Sequence, residues 1–218
     1  MRVGFERGYR MVECDVKLSA DGVAFLLHDD TLDRTTNARG PADAFTWEML
    51  SQLDAGSWLS REYAGERIPT FAGVAQWAIA HGVACNVEIK PMPGKESMTG
   101  TAVTLEAQRL WRDAAVPPLL SSFSEEALAA ARDAVPELPR GLLLEKIPSD
   151  WRERLSRLGC TALDPDYREL TAEIVAAARE AAYRVVTYTP NDPRVVARLV
   201  NWGVDTLITD AIDVIAPA

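Results

Sequence analysis

The sequence predicts an α/β protein built on one mostly parallel sheet, and three observations carry that prediction. Short apolar runs alternate with longer amphipathic segments along the chain, the pattern of repeated βαβ units. One junction between two apolar runs is too short for a helical crossover. The 218 residues are 48% hydrophobic and 25% charged, enough apolar material for one sizeable core and for a single domain over residues 1–218.

Taken in order, Arg2–Tyr9 reads as the back half of a helix. Met11–Val16 and Ala24–His28 are the first two strands. A parallel crossover between them would need about a dozen residues, whereas Ser19-Ala20-Asp21-Gly22 reads as a tight turn, so the pair is an antiparallel hairpin. Thr70 and Gly82 bracket a helix over Phe71–His81, and Cys85–Lys90 and Pro118–Phe123 follow as strands. Ser124 suits an N-cap, with Glu125 and Glu126 at the positive end of the helix dipole. Strands are expected at Arg140–Leu144, Thr161–Asp164 and Arg184–Thr189. Asp192-Pro193 starts a helix that Gly203 stops, and Asp205–Thr209 is the last strand, with Asp210 expected to cap a closing helix.

The result is seven parallel strands plus one antiparallel hairpin strand. A closed TIM-type (β/α)8 barrel has eight parallel strands and about 250 residues. The expected fold is therefore such a barrel lacking its first strand, N-terminally truncated by one βα unit. Such a sheet leaves two unpaired edges, which invite association.

Composition excludes several function classes. The net charge of -9 argues against a nucleic-acid partner, which would need a basic patch. No run of 18 apolar residues occurs, so no membrane span is expected, and the first ten residues hold no apolar core of a secretion signal. Cys14, Cys85 and Cys160 are an odd, widely spaced set, read as buried free thiols in a reducing, cytoplasmic compartment.

Strand parity points to chemistry. Glu13 and Asp15 share one face of their strand, and Glu88 and Lys90 share one face of theirs; with the apolar faces against helices, all four point into the lumen. Three carboxylates converging in a confined space are costly without a cation. Oxygen donors with open positions suit Mg2+, Ca2+ or Mn2+ better than Zn2+. A lattice of strand-end ion pairs, Lys90 with Glu88, accounts for the same spacing. His28 ends an apolar strand before Asp29-Asp30, and the hairpin register sets it roughly opposite Glu13, a place for proton transfer near neutral pH. A structural histidine bonded to a carboxylate is the alternative.

Other residues read as structural. His81 ends a helix, and Trp47, Trp77, Trp111 and Trp151 fall in helical segments as packing residues. Ser121 and Ser122 have no histidine to serve as base, and Asp164 and Asp166 flank Pro165 as a turn at the metal's mouth of the barrel.

The ordered motifs resemble the glycerophosphodiester phosphodiesterases. They are Val12-Glu13-Cys14-Asp15-Val16, Ala20-Asp21-Gly22, Leu26-Leu27-His28-Asp29, Leu32-Asp33-Arg34-Thr35-Thr36-Asn37, Leu53-Asp54-Ala55-Gly56-Ser57-Trp58 and Ile68-Pro69-Thr70. They continue with Asn86-Val87-Glu88-Ile89-Lys90, Leu119-Leu120-Ser121-Ser122-Phe123, Tyr188-Thr189 with Asn191, and Trp202-Gly203-Val204-Asp205 leading to Thr209-Asp210. The resemblance runs nearly end to end and leans toward the bacterial cytoplasmic enzymes associated with glycerol-3-phosphate uptake.

It implies that Glu13, Asp15 and Glu88 are metal ligands for Mg2+ or Ca2+ (or Mn2+), that His28 is a catalytic acid or base, and that Lys90 lies near the substrate phosphate. The implied reaction is hydrolysis of a small glycerophosphodiester to glycerol 3-phosphate and an alcohol. Family members open with a strand carrying His-Arg-Gly, then Pro-Glu-Asn-Thr, which holds a further catalytic histidine. Neither segment occurs in these residues, so metal ligation with impaired turnover is expected. Pro190 stands where the family usually has valine, leaving Asn191 as either a binding or a loop-shaping residue. A non-catalytic phosphodiester- or phosphate-binding barrel and a related lipid phosphodiesterase are the competing functions.

Overall fold

A computed structural model describes residues 1–217. Eight strands form one sheet: β1 (Met11–Leu18), β2 (Ala24–Leu26), β3 (Ala84–Ile89), β4 (Leu119–Ser122), β5 (Arg140–Leu144), β6 (Ala162–Pro165), β7 (Arg184–Tyr188) and β8 (Thr206–Ile208). Their spatial order is β2-β1-β3-β4-β5-β6-β7-β8. β1 and β2 pair antiparallel and every other neighbouring pair is parallel. This is the expected topology, a curled TIM-type sheet left open. Among the described residues no strand lies between β8 and β1. The Met11–Cys14 edge away from β3 is unpaired, because β2 takes that side only from Val16 to Leu18.

The helices are α1 (Arg2–Glu6), α2 (Trp47–Leu50), α3 (Phe71–Ala80), α4 (Glu96–Leu110), α5 (Glu125–Ala134), α6 (Trp151–Leu158), α7 (Ala172–Glu180) and α8 (Pro193–Trp202). Thr70, Ser124, Thr171 and Asp192 each accept a backbone N–H with a side-chain oxygen at a helix start, as such residues do at N-caps. Gly203 closes α8 in the left-handed conformation, φ 91°. The outward faces of the parallel strands pack on these helices. Val16, Val87, Ile89 and Leu120 meet Phe71, Ala75, Val103 and Ala127 in one core; Leu142, Leu163 and Val185 meet Leu155, Val175 and Leu199 in another.

Two expectations are corrected. β2 stops at Leu26 rather than His28, and its register with β1 projects His28 to Cys14 rather than Glu13. The chain leaves the ladder there because residues 27–69 bury a small core of their own, with Leu27, Leu32, Ala42, Leu50 and Ile68 packed on Phe25. Asp210 caps no helix: Val214 and Ile215 both donate to the carbonyl of Ala211, a single turn. The segment is instead held by the Asn191 side-chain oxygen, which accepts from Thr209 Oγ1, Asp210 N and Ala211 N. Asn191 therefore shapes a loop.

Packing of α4 on α5 yields a stability prediction. A Cβ on Gly100 would lie 2.3 Å from the carbonyl oxygen of Ala127, a backbone atom that cannot yield cheaply. Gly100→Ala is expected to destabilise the protein by about 1–3 kcal/mol, outweighing the helix-propensity gain of about 1 kcal/mol. The midpoint of chemical denaturation checks it, and an unchanged or raised midpoint would show that the two helices part easily.

Candidate active site

The site is built by strand alternation on β1 and β3. The two strands run parallel with Glu13 beside Asn86 and Asp15 beside Glu88. Glu13, Asp15 and Glu88 thus project from adjacent strands to one place in the lumen. Each offers a carboxylate oxygen, and these oxygens lie within 4.8 Å of one another. Lys90 supplies the local counter-charge. Its Nζ donates to Asp15 Oδ1 at 2.9 Å and stands 3.6 Å from Glu88 Oε1.

One ammonium does not neutralise three carboxylates. Burial pushes the Glu13 carboxyl up to about 8, reinforced by the charges of Asp15 and Glu88 and opposed by Lys90. Burial likewise raises Glu88, with Lys90 and His28 pulling the other way. Glu13 Oε1 is buried and has no hydrogen-bond partner among the described residues. Clustered carboxylate oxygens with an unsatisfied buried acceptor fit a hard divalent cation, which takes oxygen donors and tolerates open positions. The residues present therefore fit such an ion.

Behind the cluster the lumen is polar. Asn86, Ser121 and Asp164, from β3, β4 and β6, are almost fully buried. Their side-chain N and O atoms make no protein hydrogen bond among the described residues; the Asn86 amide approaches Asp164 without completing one. Burial and the charge of Glu88 push Asp164 well above the usual carboxylate range. Asp164 is thus an interior residue of β6, not part of a turn as the flanking proline suggested. Asp166 does turn the chain, its side chain accepting from Arg168 N and pairing with the Arg168 guanidinium.

His28 lies just past β2, its side chain 65% exposed. Its Nδ1 is 2.8 Å from Asp29 Oδ1, and Arg34 holds Asp29 with two hydrogen bonds of 2.6 and 2.8 Å. This clamp, the Arg34 bonds above all, holds the Asp29 carboxyl well below the usual range. It also turns the imidazole so that Nε2 is the free nitrogen. His81 instead packs edge-on against Phe5 and tilted against Trp77, and shares a hydrogen with the Trp77 carbonyl at a helix end, a packing role. Ser122 Oγ donates to the Ile89 carbonyl, as a structural serine does.

Beyond the strand ends of β5 to β7 lies a cavity of about 560 Å³ lined by Phe123, Glu145, Asp166, Arg168 and Tyr188. The same ends of parallel strands carry the active sites of TIM-type barrels. Among the described residues no helix is long and apolar enough to cross a membrane. Sequence reasoning passed over Lys17, which continues the alternation of Glu13 and Asp15 on β1. The signal was there, but the strand was expected to end at Val16.

Comparison with known proteins agrees with this arrangement. The Glycerophosphoryl diester phosphodiesterase family matches residues 1–214. A glycerophosphodiester phosphodiesterase of Caldanaerobacter subterraneus subsp. tengcongensis is 31% identical over 94% of this chain and 84% of its own length. One from Bacillus subtilis is 29% identical over 91% of this chain and 73% of its own. Among solved structures, an Oleispira antarctica phosphodiesterase in complex with its product sn-glycerol-3-phosphate superposes with a TM-score of 0.89 at 35% identity, covering 96% of this chain and 84% of that one. An Agrobacterium tumefaciens glycerophosphodiester phosphodiesterase shares the fold, with a TM-score of 0.79 at 24% identity over 99% and 90% of the two chains. With motifs, sheet topology and the lumenal carboxylates all in agreement, the chain belongs to the glycerophosphoryl diester phosphodiesterase family.

Proposed function

We propose that the protein hydrolyses small glycerophosphodiesters, such as glycerophosphocholine, to glycerol 3-phosphate and an alcohol, using a divalent cation held by Glu13, Asp15 and Glu88. The observation that carries this reading is the meeting of three carboxylates and one lysine at a single point of the lumen. Mg2+, Ca2+ and Mn2+ all suit that oxygen-only donor set. When bound, the cation supplies Lewis-acid stabilisation of charge on a phosphoryl oxygen.

The chain's own residues do the rest. Lys90, already directed at the carboxylates, offers further N–H donors to a phosphate oxygen, where charge grows in the transition state. His28 carries a proton at Nε2, to or from the reacting oxygens, while Asp29 and Arg34 hold its ring in place. Three buried free thiols fit a reducing compartment, consistent with a cytoplasmic enzyme.

The test is release of glycerol 3-phosphate from glycerophosphocholine with Mg2+, Ca2+ or Mn2+ supplied in turn. Slow turnover, in keeping with the absence of a His-Arg-Gly segment from these residues, is expected with at least one of them and is expected to vanish on chelation. Metal-dependent binding of the diester without release would replace the enzyme with a phosphodiester-binding barrel. Turnover unaffected by chelation would remove the metal from the mechanism.

A further inference from the structure

The lumenal face of β1 carries Glu13, Asp15 and then Lys17. Lys17 is 1% exposed, and its Nζ donates to Asp30 Oδ1 at 2.7 Å and to Met92 Sδ at 3.8 Å. A buried ammonium without a counter-ion is strongly disfavoured. Asp30 is the only carboxylate within ion-pair distance of Lys17 among the described residues, the nearby Asp15 being held by Lys90. Asp30 lies two residues beyond His28, and Met92 two residues beyond Lys90. One ammonium rooted in the strand that bears Glu13 and Asp15 thus joins the two loops that leave the site.

We propose that Lys17 is a positioning residue that pins the His28–Asp30 segment beside the carboxylate cluster through its bond to Asp30. The inference rests on the phosphodiesterase reading of the site and on His28 as its proton carrier. Its physical logic is asymmetric. Asp30 is 57% exposed and gains little from the pair, whereas the buried lysine needs it, so the cost of an unpaired Lys17 forces the loop into place. His28 itself is exposed, its side chain 65% accessible, so its placement depends on such anchors. Asp29 with Arg34 sets the ring; Lys17 with Asp30 sets the backbone two residues on.

The experiment uses the full chain with metal. Lys17→Met keeps an unbranched side chain against Met92 and removes the charge. It is expected to lower kcat for glycerophosphocholine by roughly 10- to 100-fold, with KM changed less than about 3-fold, the scale of a misplaced catalytic group. In a His28→Asn background the same substitution should cost less than about 2-fold, because the group it positions is already gone. Hydrogen exchange at the amides of Leu32 and Thr36 should quicken in Lys17→Met. Asp30→Asn should reproduce both effects and serves as the second variant if Lys17→Met folds poorly. Unchanged kcat, an equal loss in the His28→Asn background or unchanged exchange would each overturn the proposal. A wild-type chain with no turnover on any metal would sink the phosphodiesterase reading instead, leaving exchange in the two variants to judge the tether.

Discussion

Glu13→Gln is expected to raise the melting temperature of the metal-free protein at pH 8 and, in the same molecule, to remove metal-dependent turnover. The Glu13 carboxyl sits at about 8 in the folded protein, against an ordinary value of 4.5, because it is buried and flanked by Asp15 and Glu88. A raised carboxyl means that the folded state binds more protons than the unfolded chain between those two values. Stability therefore falls as pH rises through the window from about 4.5 to 8, by up to about 1.4 kcal/mol for each pH unit while the difference is full. Glutamine cannot ionise, so its advantage is absent near pH 4.5 and complete by pH 8. Glu13 Oε1 already lacks a partner among the described residues, so the substitution breaks no hydrogen bond at that atom. Hydrogen bonding thus leaves the comparison nearly even, and the gain at pH 8 should be on the order of 5 °C or more.

The same change weakens the cation site. Saturating metal at about 100 Kd stabilises a folded protein by about 2.7 kcal/mol. That increment should appear in the wild type at pH 8, shrink toward pH 5 as protons compete for the carboxylates, and be nearly lost in Glu13→Gln. Turnover should fall at least about 10²-fold, in line with the several kcal/mol a metal supplies to a charged transition state. Thermal melts with and without Mg2+ at pH 5 and pH 8, beside the glycerol 3-phosphate assay, measure all of this. A lower metal-free melting temperature at pH 8, or activity retained in the variant, would contradict the account of Glu13 as a carboxylate kept at a stability cost for a cation.

That cost also explains what could be read from the sequence. The pleat fixes which side chains share a face, so Glu13 with Asp15 and Glu88 with Lys90 followed from spacing of two. The hairpin followed from a turn too short to cross over. The caps at Thr70, Ser124 and Asp192 were local and equally legible. What escaped depends on contacts between distant segments. The end of β2 is set by the small core under residues 27–69, which no periodicity announces, and so His28 was placed one residue out of register. Asp164 beside Pro165 has the composition of a turn, and only the pairing of β6 with β5 carries it into the lumen. Lys17 lies past the expected end of β1 at Val16, and only the fold shows it buried and paired with Asp30.

His28→Asn is expected to leave the fold intact and to lower kcat by about 10²–10⁴-fold, the usual contribution of a positioned acid or base. The imidazole is largely exposed and, among the described residues, bonds only Asp29, so the change in stability should stay within about 0.5 kcal/mol. Because Asp29 engages Nδ1, proton transfer falls to Nε2, and an asparagine amide can imitate neither role of that nitrogen. The direction of transfer can be read from the leaving group. If His28 donates a proton to the departing oxygen, the loss should shrink sharply for a glycerophosphodiester of nitrophenol, whose phenolate leaves unprotonated. If His28 activates the nucleophile, the loss should be equal for nitrophenol and choline esters. Arg34→Ala supplies the control on orientation. It frees Asp29 without removing the imidazole, so it should cost far less than His28→Asn on either substrate. A His28→Asn protein with wild-type kcat on both esters would remove histidine from the chemistry and leave the carboxylates and Lys90 to account for it.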